Sequence, residues 1–502
     1  MNRLFYGDNL EVLRKYVEDE SVDLVYIDPP FNSKRNYNQI YNNEGTEDVA
    51  QTQAFVDTWT WDMAAAEALE RIMTNQTEGL TMRAVALING LVEVLGRGSM
   101  LAYLVSLTER LGQIWRVLKP TGSFYLHCDP TMSHYLKLVC DGIFLPRGGE
   151  MKNEIIWCYR RWTAVSNRFQ RLHDVIFYYS KSKNSIFNTQ YEPYGAWIKK
   201  DYRYVDEETG KKWRWHTVKG KRYKVFLEDA DRGVKIGDWW QINPIGSTAK
   251  ERLGYNTQKP EALLDRIIQA SSNEGDVVMD CYCGCGTSVA VAQRLGRQWI
   301  GVDISYQSIS LILRRLEFSF GKEVVEAVES EGIPRDMKSA TGLANLKDDR
   351  LRFEFEKWAI LRYTNNRGMI KERPGADAGV DGLAYIVHNT KGEYKKVVFS
   401  VKSGKNIGAG DVRDLLGTVE NEGAVVGVLI SLEGFTKPMR EAANQAGFYY
   451  NELLDRTFPK IKLVEVRDFI EDGAEFDIPL ALEVLKKAGA KVKGRQGDLL
   501  EL

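Results

Sequence analysis

Apolar positions along the chain keep two different periods, and the switches between them outline its elements. Val22-Asp-Leu-Val-Tyr-Ile27 is a short, nearly continuous apolar run, the pattern of a strand covered on both faces; residues 1 to about 45 read strand, helix, strand and then a proline turn. Residues 62 to 118 repeat at helical spacing in three stretches, Ala64 to Met73, Met82 to Leu95 and Leu101 to Leu118. The first two read as a helical insertion or lid (62–98), and the third leads into the strand Ser123-Phe-Tyr-Leu-His127. Further strands are predicted at Glu154-Ile-Ile-Trp157, Asp174-Val-Ile-Phe-Tyr-Tyr179, Val277-Val-Met279 and Gln298-Trp-Ile-Gly-Val302, with helices over Glu261 to Ala270 and Ser288 to Leu295. Strands alternating with helices predict an α/β fold with a doubly wound, mostly parallel sheet whose ligands sit at the carboxyl ends of the strands.

Periodicity fades over 333–345, which predicts a linker after a first unit of residues 1–332. A smaller α/β unit is predicted over 346–475. It has a helix from Arg352 to Arg362, a strand opened by Gly379-Val380-Asp381-Gly382, the strand Val397-Val-Phe-Ser-Val401, a helix from Asp411 to Glu420, a strand from Val425 to Ser431 and a helix from Pro438 to Ala446. Residues 476–502, with the basic stretch Lys486-Lys-Ala-Gly-Ala-Lys-Val-Lys-Gly-Arg, read as a tail.

Composition narrows the class. A chain of 502 residues allows two or three domains, and its 27% charged and 44% hydrophobic residues are those of a globular protein. No run reaches the roughly 18 apolar residues of a membrane span, and Met1-Asn-Arg-Leu-Phe-Tyr is no signal segment, so a cytoplasmic location is expected. Three of the six cysteines, Cys281, Cys283 and Cys285, crowd into one turn. That spacing suits neither a disulfide framework nor the wider Cys-x-x-Cys of structural zinc. Net charge is −1, so any surface for a polyanion must be local. From 181 to 225 there are twelve Lys and Arg against five Asp and Glu, interleaved with Tyr191, Tyr194, Trp197, Tyr202, Tyr204, Trp213 and Trp215. This mixture suits phosphate contact with stacking or groove insertion.

Two motifs carry chemistry. Asp28-Pro29-Pro30-Phe31 ends the strand at Ile27. A carboxylate and a neighbouring main-chain carbonyl, that of Pro29, form a pair of fixed acceptors; the prolines fix φ and add no N–H of their own, and Phe31 offers a ring face for stacking. Such a pair can draw both hydrogens of an exocyclic base amine out of the ring plane and localise its lone pair, provided the base has left the duplex. The second motif, Asp280-Cys-Tyr-Cys-Gly284-Cys-Gly286-Thr287, lies between a strand and a helix, where glycines let backbone approach a cofactor. Asp303 ends the next strand about 20 residues on, where a carboxylate can hold ribose hydroxyls.

On these motifs residues 1 to about 330 resemble the S-adenosylmethionine-dependent DNA amino-methyltransferases of the permuted (beta) class, in which the catalytic motif precedes the cofactor motif. Their second motif reads Asp-Pro-Phe-x-Gly-x-Gly-Thr; here Cys281 stands for the proline and Tyr282 for the phenylalanine, while Asp280, Gly284, Gly286 and Thr287 match. Tyr255-Asn-Thr257-Gln258-Lys259-Pro260 looks like the family's cofactor-gripping loop, and Gly7-Asp8-Asn9 like its adenine-contacting turn. The resemblance implies S-adenosylmethionine as cofactor, double-stranded DNA as substrate, and a target-recognition region over 181–250. A homodimer is a further expectation. Asp28, where cytosine-directed relatives commonly carry serine, implies methylation of adenine N6 in restriction-modification or phage defence; N4 of cytosine is the alternative. His127, His173 and Asp129-Pro130 read as structural groups.

In the second unit, acids followed by a strand ending in x-Lys form the pattern that holds a divalent metal against a phosphodiester. The portion 346–475 resembles Mrr-like restriction-endonuclease domains, which implies Glu356 and Asp381 as ligands of a Mg²⁺ ion and Lys402 as charge stabiliser. Ser400 stands where a Glu or Gln is expected, and a hydroxyl is the weaker ligand. A bifunctional methyltransferase and Mg²⁺-dependent endonuclease is therefore one reading, and a domain that only binds DNA or a partner the other.

Overall fold

The computed structural model describes the chain except residues 1, 31–34, 42–49, 58, 161–166, 194–200, 228–232, 247–248, 254, 256, 346–348, 371–379, 391–392, 405 and 481–502; for 35–41, 50–57 and 349–352 it describes the backbone alone. Nine strands form one sheet: β1 (Arg3–Tyr6), β2 (Val22–Ile27), β3 (Leu118–Cys128), β4 (Glu150–Cys158), β5 (His173–Ser180), β6 (Trp239–Gln241), β7 (Val277–Asp280), β8 (Gln298–Asp303) and β9 (Glu329–Glu331). Their order is β6-β4-β5-β3-β2-β7-β8-β1-β9, parallel except for β5, which runs against both neighbours. This is the doubly wound, mostly parallel sheet that the alternating elements predict.

The continuous apolar run of β2 has its reason in the two layers of helix. Successive side chains of a strand point to opposite faces, and Val25 and Ile27 enter the core on one face while Leu24 and Tyr26 enter that on the other. The first face is covered by α1 (Asn9–Tyr16), α2 (Met63–Met73), α3 (Met82–Leu95), α4 (Ser99–Val117) and α5 (Ser133–Phe144); the second by α6 (Glu261–Ser271), α7 (Thr287–Arg294) and α8 (Tyr306–Phe320). The predicted lid is corrected here. Leu69, Ile72, Ala84 and Ile88 of α2 and α3 are buried in the same core as the sheet, and Arg71 grips the buried Glu109 of α4 with two hydrogen bonds of 2.9 Å. These helices are a fixed layer.

The second unit has a five-stranded sheet in the order Met369–Ile370, Gly382–Val387, Tyr394–Lys402, Val426–Ser431 and Ile461–Glu465, antiparallel over the first three and parallel over the rest. Two boundaries differ from expectation. Residues 333–345 contain a helix, α9 (Met337–Ala344), capped by Asp336 and seated through Ala340 and Ala344 in the core of the second unit. Its alanines and Gly342 give too weak an apolar stripe to register as a helix in the sequence. The expected tail begins later than 476, because Phe476, Ile478 and Leu480 pack on that same core and Leu480 bridges to Ile386. The basic stretch from Lys486 lies outside the described residues. Tyr6 and Tyr306 of the first unit also join this core, so the two units meet without a spacer.

Candidate functional site

β2 and β7 are parallel neighbours, with Leu24 beside Val278 and Val25 beside Met279. Their carboxyl ends therefore deliver Asp28-Pro29-Pro30 and the Asp280-to-Thr287 turn to one edge of the sheet; Phe31 lies outside the described residues. β8 adds Asp303 on the far side of β7, and β1 brings Gly7-Asp8-Asn9 beside it, since Tyr6 pairs with Asp303.

The turn after β7 holds its own shape. Asp280, 5% exposed, accepts hydrogen bonds from Tyr282 N (3.0 Å) and Ser288 Oγ (2.5 Å), so both of its oxygens serve to hold the turn. Burial pushes its carboxyl up to about 7, against the pull of those donors. Gly284 N donates to Asp303 Oδ2 and Ser305 N to Asp303 Oδ1, both at 2.9 Å. Burial again raises Asp303, to about 6. Gly284 and Gly286 both have positive φ, 49° and 72°. Thr287 Oγ1 accepts from the buried Arg315, whose other contacts are the carbonyl of Cys285 and the carboxylate of Glu261. Cys281 belongs to the core on one face of the sheet and Cys283 to that on the other, so their thiols diverge and cannot share a metal ion.

The loop before α6 joins the two motifs. Lys259 forms an ion pair with Asp28 Oδ2, and Tyr255 lies against Gly284, where an added Cβ would stand 3.4 Å from its ring. Gln258 braces the loop by accepting from Leu253 N (2.8 Å) and donating to the Glu251 carbonyl (2.6 Å). Thr257 is half-buried in the same turn and Pro260 begins α6. Lys259, expected at the cofactor, thus pairs with Asp28 of the first motif. Asp28 Oδ1 is buried and has no hydrogen-bond partner among the described residues, with His127 Nδ1 3.7 Å away. His127 is fully buried, 3.0 Å from Tyr26 Oη and 3.4 Å from Asp174 Oδ2. It lies directly behind Asp28, with Tyr26 and Asp174 as its polar neighbours.

Asp8 caps α1 by accepting from Leu10 N (2.9 Å) and Glu11 N (3.2 Å), and it pairs with Arg110 at 2.7 Å. Its neighbour Asn9 donates to the carbonyl of Cys281 (2.7 Å), tying this turn to the glycine turn. Arg110, Arg315 and Asp174 escape a sequence reading of the site because single residues inside helices and strands carry no local signal, whereas Tyr255 falls within a recognisable segment.

The recognition region contains a hairpin of Lys212–Val218 and Lys221–Phe226. Part of its aromatic content is turned inward. Tyr204 stacks on Trp213 with centroids 4.8 Å apart, Trp215 meets Trp213 edge-on, and Lys224 lies over Trp213 while paired with Asp206. Trp215 and Tyr223 remain about half exposed, beside exposed Lys212, His216, Lys221 and Arg222. Tyr194 and Trp197 lie outside the described residues.

In the second unit Asp381 Oδ2 accepts from Val401 N (2.6 Å), burial raises the Asp381 carboxyl, and Lys402 Nζ lies 3.9 Å from Asp411. Glu356 is half-buried on the helix Asp349–Tyr363. Among the described residues no group of three His, Cys, Asp or Glu side chains is placed to hold a metal ion. The expected Mg²⁺ site at Glu356 and Asp381 thus does not fit the described residues: Asp381 is engaged by backbone and Ser400 supplies only a hydroxyl. Among these residues, too, no helix is long and apolar enough to cross a membrane.

Comparison with known proteins agrees with this layout. Residues 22–314 match the family model for N6/N4 methyltransferases, described as DNA methylase, and residues 353–458 match one described as NACHT-associated inactive Restriction Endonuclease 1. The chain is 24% identical over 371 residues to type II methyltransferase M.EcaI of Enterobacter cloacae, covering 64% of this chain and 70% of that protein. It is 26% identical over 342 residues to DNA adenine methyltransferase YhdJ of Escherichia coli K12, covering 68% and 88%. The solved complex of M1.HpyAVI with SAM aligns at 16% identity and a TM-score of 0.32 over 63% of this chain and 99% of that one. With more than half its length matched by the methylase model, the chain belongs to the N6/N4 DNA methylase family.

Proposed function

We propose that the chain methylates the N6 amine of adenine at specific sites in double-stranded DNA, with S-adenosylmethionine as donor, in the permuted (beta) arrangement and in the service of restriction-modification or phage defence. The observation that carries this reading is the 255–260 loop, which lays Lys259 on Asp28 and Tyr255 on Gly284 and so joins the acceptor motif to the glycine turn in one pocket.

The residues fit the donor. Gly284 brings its backbone into contact range of Tyr255, Asp303 presents a carboxylate at the end of β8, and Gly7 has clear space where a side chain would be. When bound, S-adenosylmethionine supplies a methyl group on a positively charged sulfur. Asp303 would hold the ribose hydroxyls, and the glycine turn would let main chain approach the amino-acid portion. Asp28 Oδ1, buried and without a hydrogen-bond partner among the described residues, is the first acceptor for the amine, and the Pro29 carbonyl the second. His127 Nδ1 lies 3.7 Å behind it. With the amine held by Asp28 and the Pro29 carbonyl, its surplus proton would pass to a nearby acceptor or water once the methyl group is received. Orientation supplies much of the acceleration, and Lys259 must release Asp28 Oδ2 or move with it as the base enters.

Asp28 favours adenine over cytosine, and the exposed face of the Lys212–Val218 hairpin supplies the DNA contacts. For the second unit we infer a binding role without cleavage, since its acids form no metal site among the described residues. Asp28→Ala is expected to abolish labelling of DNA from radioactive donor while donor binding stays near wild type; retained labelling refutes the assignment. Digestion of DNA from a methylation-free host expressing the chain should yield N6-methyladenine, and N4-methylcytosine would overturn the choice of base. Unmethylated DNA incubated with Mg²⁺ and no donor should stay intact; cleavage lost in Lys402→Ala would restore the bifunctional reading.

A further inference from the structure

The nuclease-like unit touches the methyltransferase where the donor is expected to bind. Asp303 ends β8, and Ser305 then begins α8 without any side-chain cap of its own. The first turn of a helix leaves N–H groups without intrahelical partners. One of them, Tyr306 N, donates instead to Glu354 Oε2 at 3.1 Å, a carboxylate from the second unit's helix Asp349–Tyr363. The same oxygen accepts from Tyr6 Oη at 3.3 Å, across 348 residues of sequence. Tyr6 is the residue that pairs with Asp303 in the sheet, and Gly7 N donates to the Asp303 carbonyl at 3.0 Å. Lys357 Nζ holds the other oxygen, Glu354 Oε1, at 2.6 Å, and the Glu354 side chain is only 12% exposed.

One carboxylate therefore fastens both backbone segments that flank Asp303: β1 through Tyr6, and the start of α8 through Tyr306. It also places negative charge at the amino end of α8, where the helix dipole favours it. Glu356, the acid that the sequence suggests for a metal, is two positions away and faces elsewhere, because residues i and i+2 do not share a helix face.

We propose that Glu354 is a positioning residue for the methyl-donor site: the nuclease-like unit completes the cofactor pocket of the methyltransferase by fixing the orientation of Asp303. This inference rests on the functional reading above. It gives the nuclease-like unit a function in the reaction, and makes donor affinity depend on how that unit is seated.

The test uses the full chain, with DNA methylation kinetics and calorimetric binding of S-adenosylmethionine. Glu354→Ala should raise the donor KM and Kd about tenfold, the order of a lost cap with its charge, with kcat within about twofold and the KM for DNA unchanged. Glu354→Gln, which keeps an acceptor oxygen for Tyr306 N and Tyr6 Oη, should stay within about threefold of wild type. A wild-type donor KM in Glu354→Ala overturns the proposal, as does a joint loss of kcat and both affinities that Glu354→Gln fails to rescue. Should Glu354→Ala not fold, Tyr6→Phe decides: a donor KM raised about threefold supports the proposal and a wild-type KM sinks it. If the wild-type chain itself binds no donor, the functional reading fails first, and that outcome is separate from any variant's.

Discussion

Gly284 and Gly286 look equivalent in the motif, yet the structure assigns them different work, and alanine at each should show it. At Gly286, φ is +72° and an added Cβ would stand 2.6 Å from Ile312 Cγ1, inside any normal contact. Ile312 is fully buried in α8 and has little room to give. The left-handed backbone costs a non-glycine residue roughly 1–2 kcal/mol, and overpacking a filled core adds about 1–3 kcal/mol. Gly286→Ala should therefore lose about 2–5 kcal/mol of stability. At Gly284, φ is +49° and the added Cβ meets only the Tyr255 ring, at 3.4 Å. Its stability cost is the backbone part alone, roughly 1–2 kcal/mol, but the methyl stands between the glycine turn and the gripping loop. Urea unfolding followed by far-ultraviolet circular dichroism measures the first quantity. With a slope of about 3 kcal/mol/M, a loss of that size moves the midpoint about 1 M for Gly286→Ala and clearly less for Gly284→Ala. Calorimetry with S-adenosylmethionine measures the second, and Gly284→Ala should bind at least tenfold more weakly. Equal midpoints for the two variants, or wild-type affinity in Gly284→Ala, would refute the division.

Other outcomes follow from single contacts. Arg71→Met strands the buried Glu109 with Arg14 at 3.5 Å as its remaining cation, and should cost about 2–4 kcal/mol in the urea midpoint, most of it released by a second change of Glu109 to Gln; an unchanged midpoint would show that α2 is not held this way. Asp303 has its carboxyl raised to about 6 in the free chain, so protonation stabilises the unliganded fold. That contribution is fully present below the ordinary carboxylate pKa and is lost as pH rises through about 6. Ribose hydroxyls need the ionised acceptor, so donor affinity should be level above pH 7 and fall towards tenfold per pH unit below 6; a flat profile by calorimetry from pH 5 to 8 would exclude Asp303 as the ribose acceptor. Trp215→Ala should weaken binding to all duplexes by about 1–3 kcal/mol if its half-exposed ring stacks on DNA. Arg222→Ala should lower the salt slope of binding by about one, and an unchanged slope would place that residue off the phosphates.

The strands and helices of this chain are written locally. Leu24 to Ile27 must be covered on both faces because nothing in that run is charged and its side chains are mostly hydrocarbon, and Asp28 and Asp280 must end strands because proline and glycine follow them within a few residues. Those short-range rules were enough for the sheet class and the order of the two motifs. What they could not reach is the company each residue keeps. Lys259 faces Asp28 across 231 positions, Arg110 faces Asp8 across 102, and Glu354 faces Tyr6 across 348. None of these pairs leaves a periodic or spaced trace, because a contact between distant residues is fixed by strand order and helix packing rather than by neighbours in the chain. The same holds for the helices expected as an insertion or lid: their amphipathic stripes state that one face is buried, and only the folded molecule decides against what.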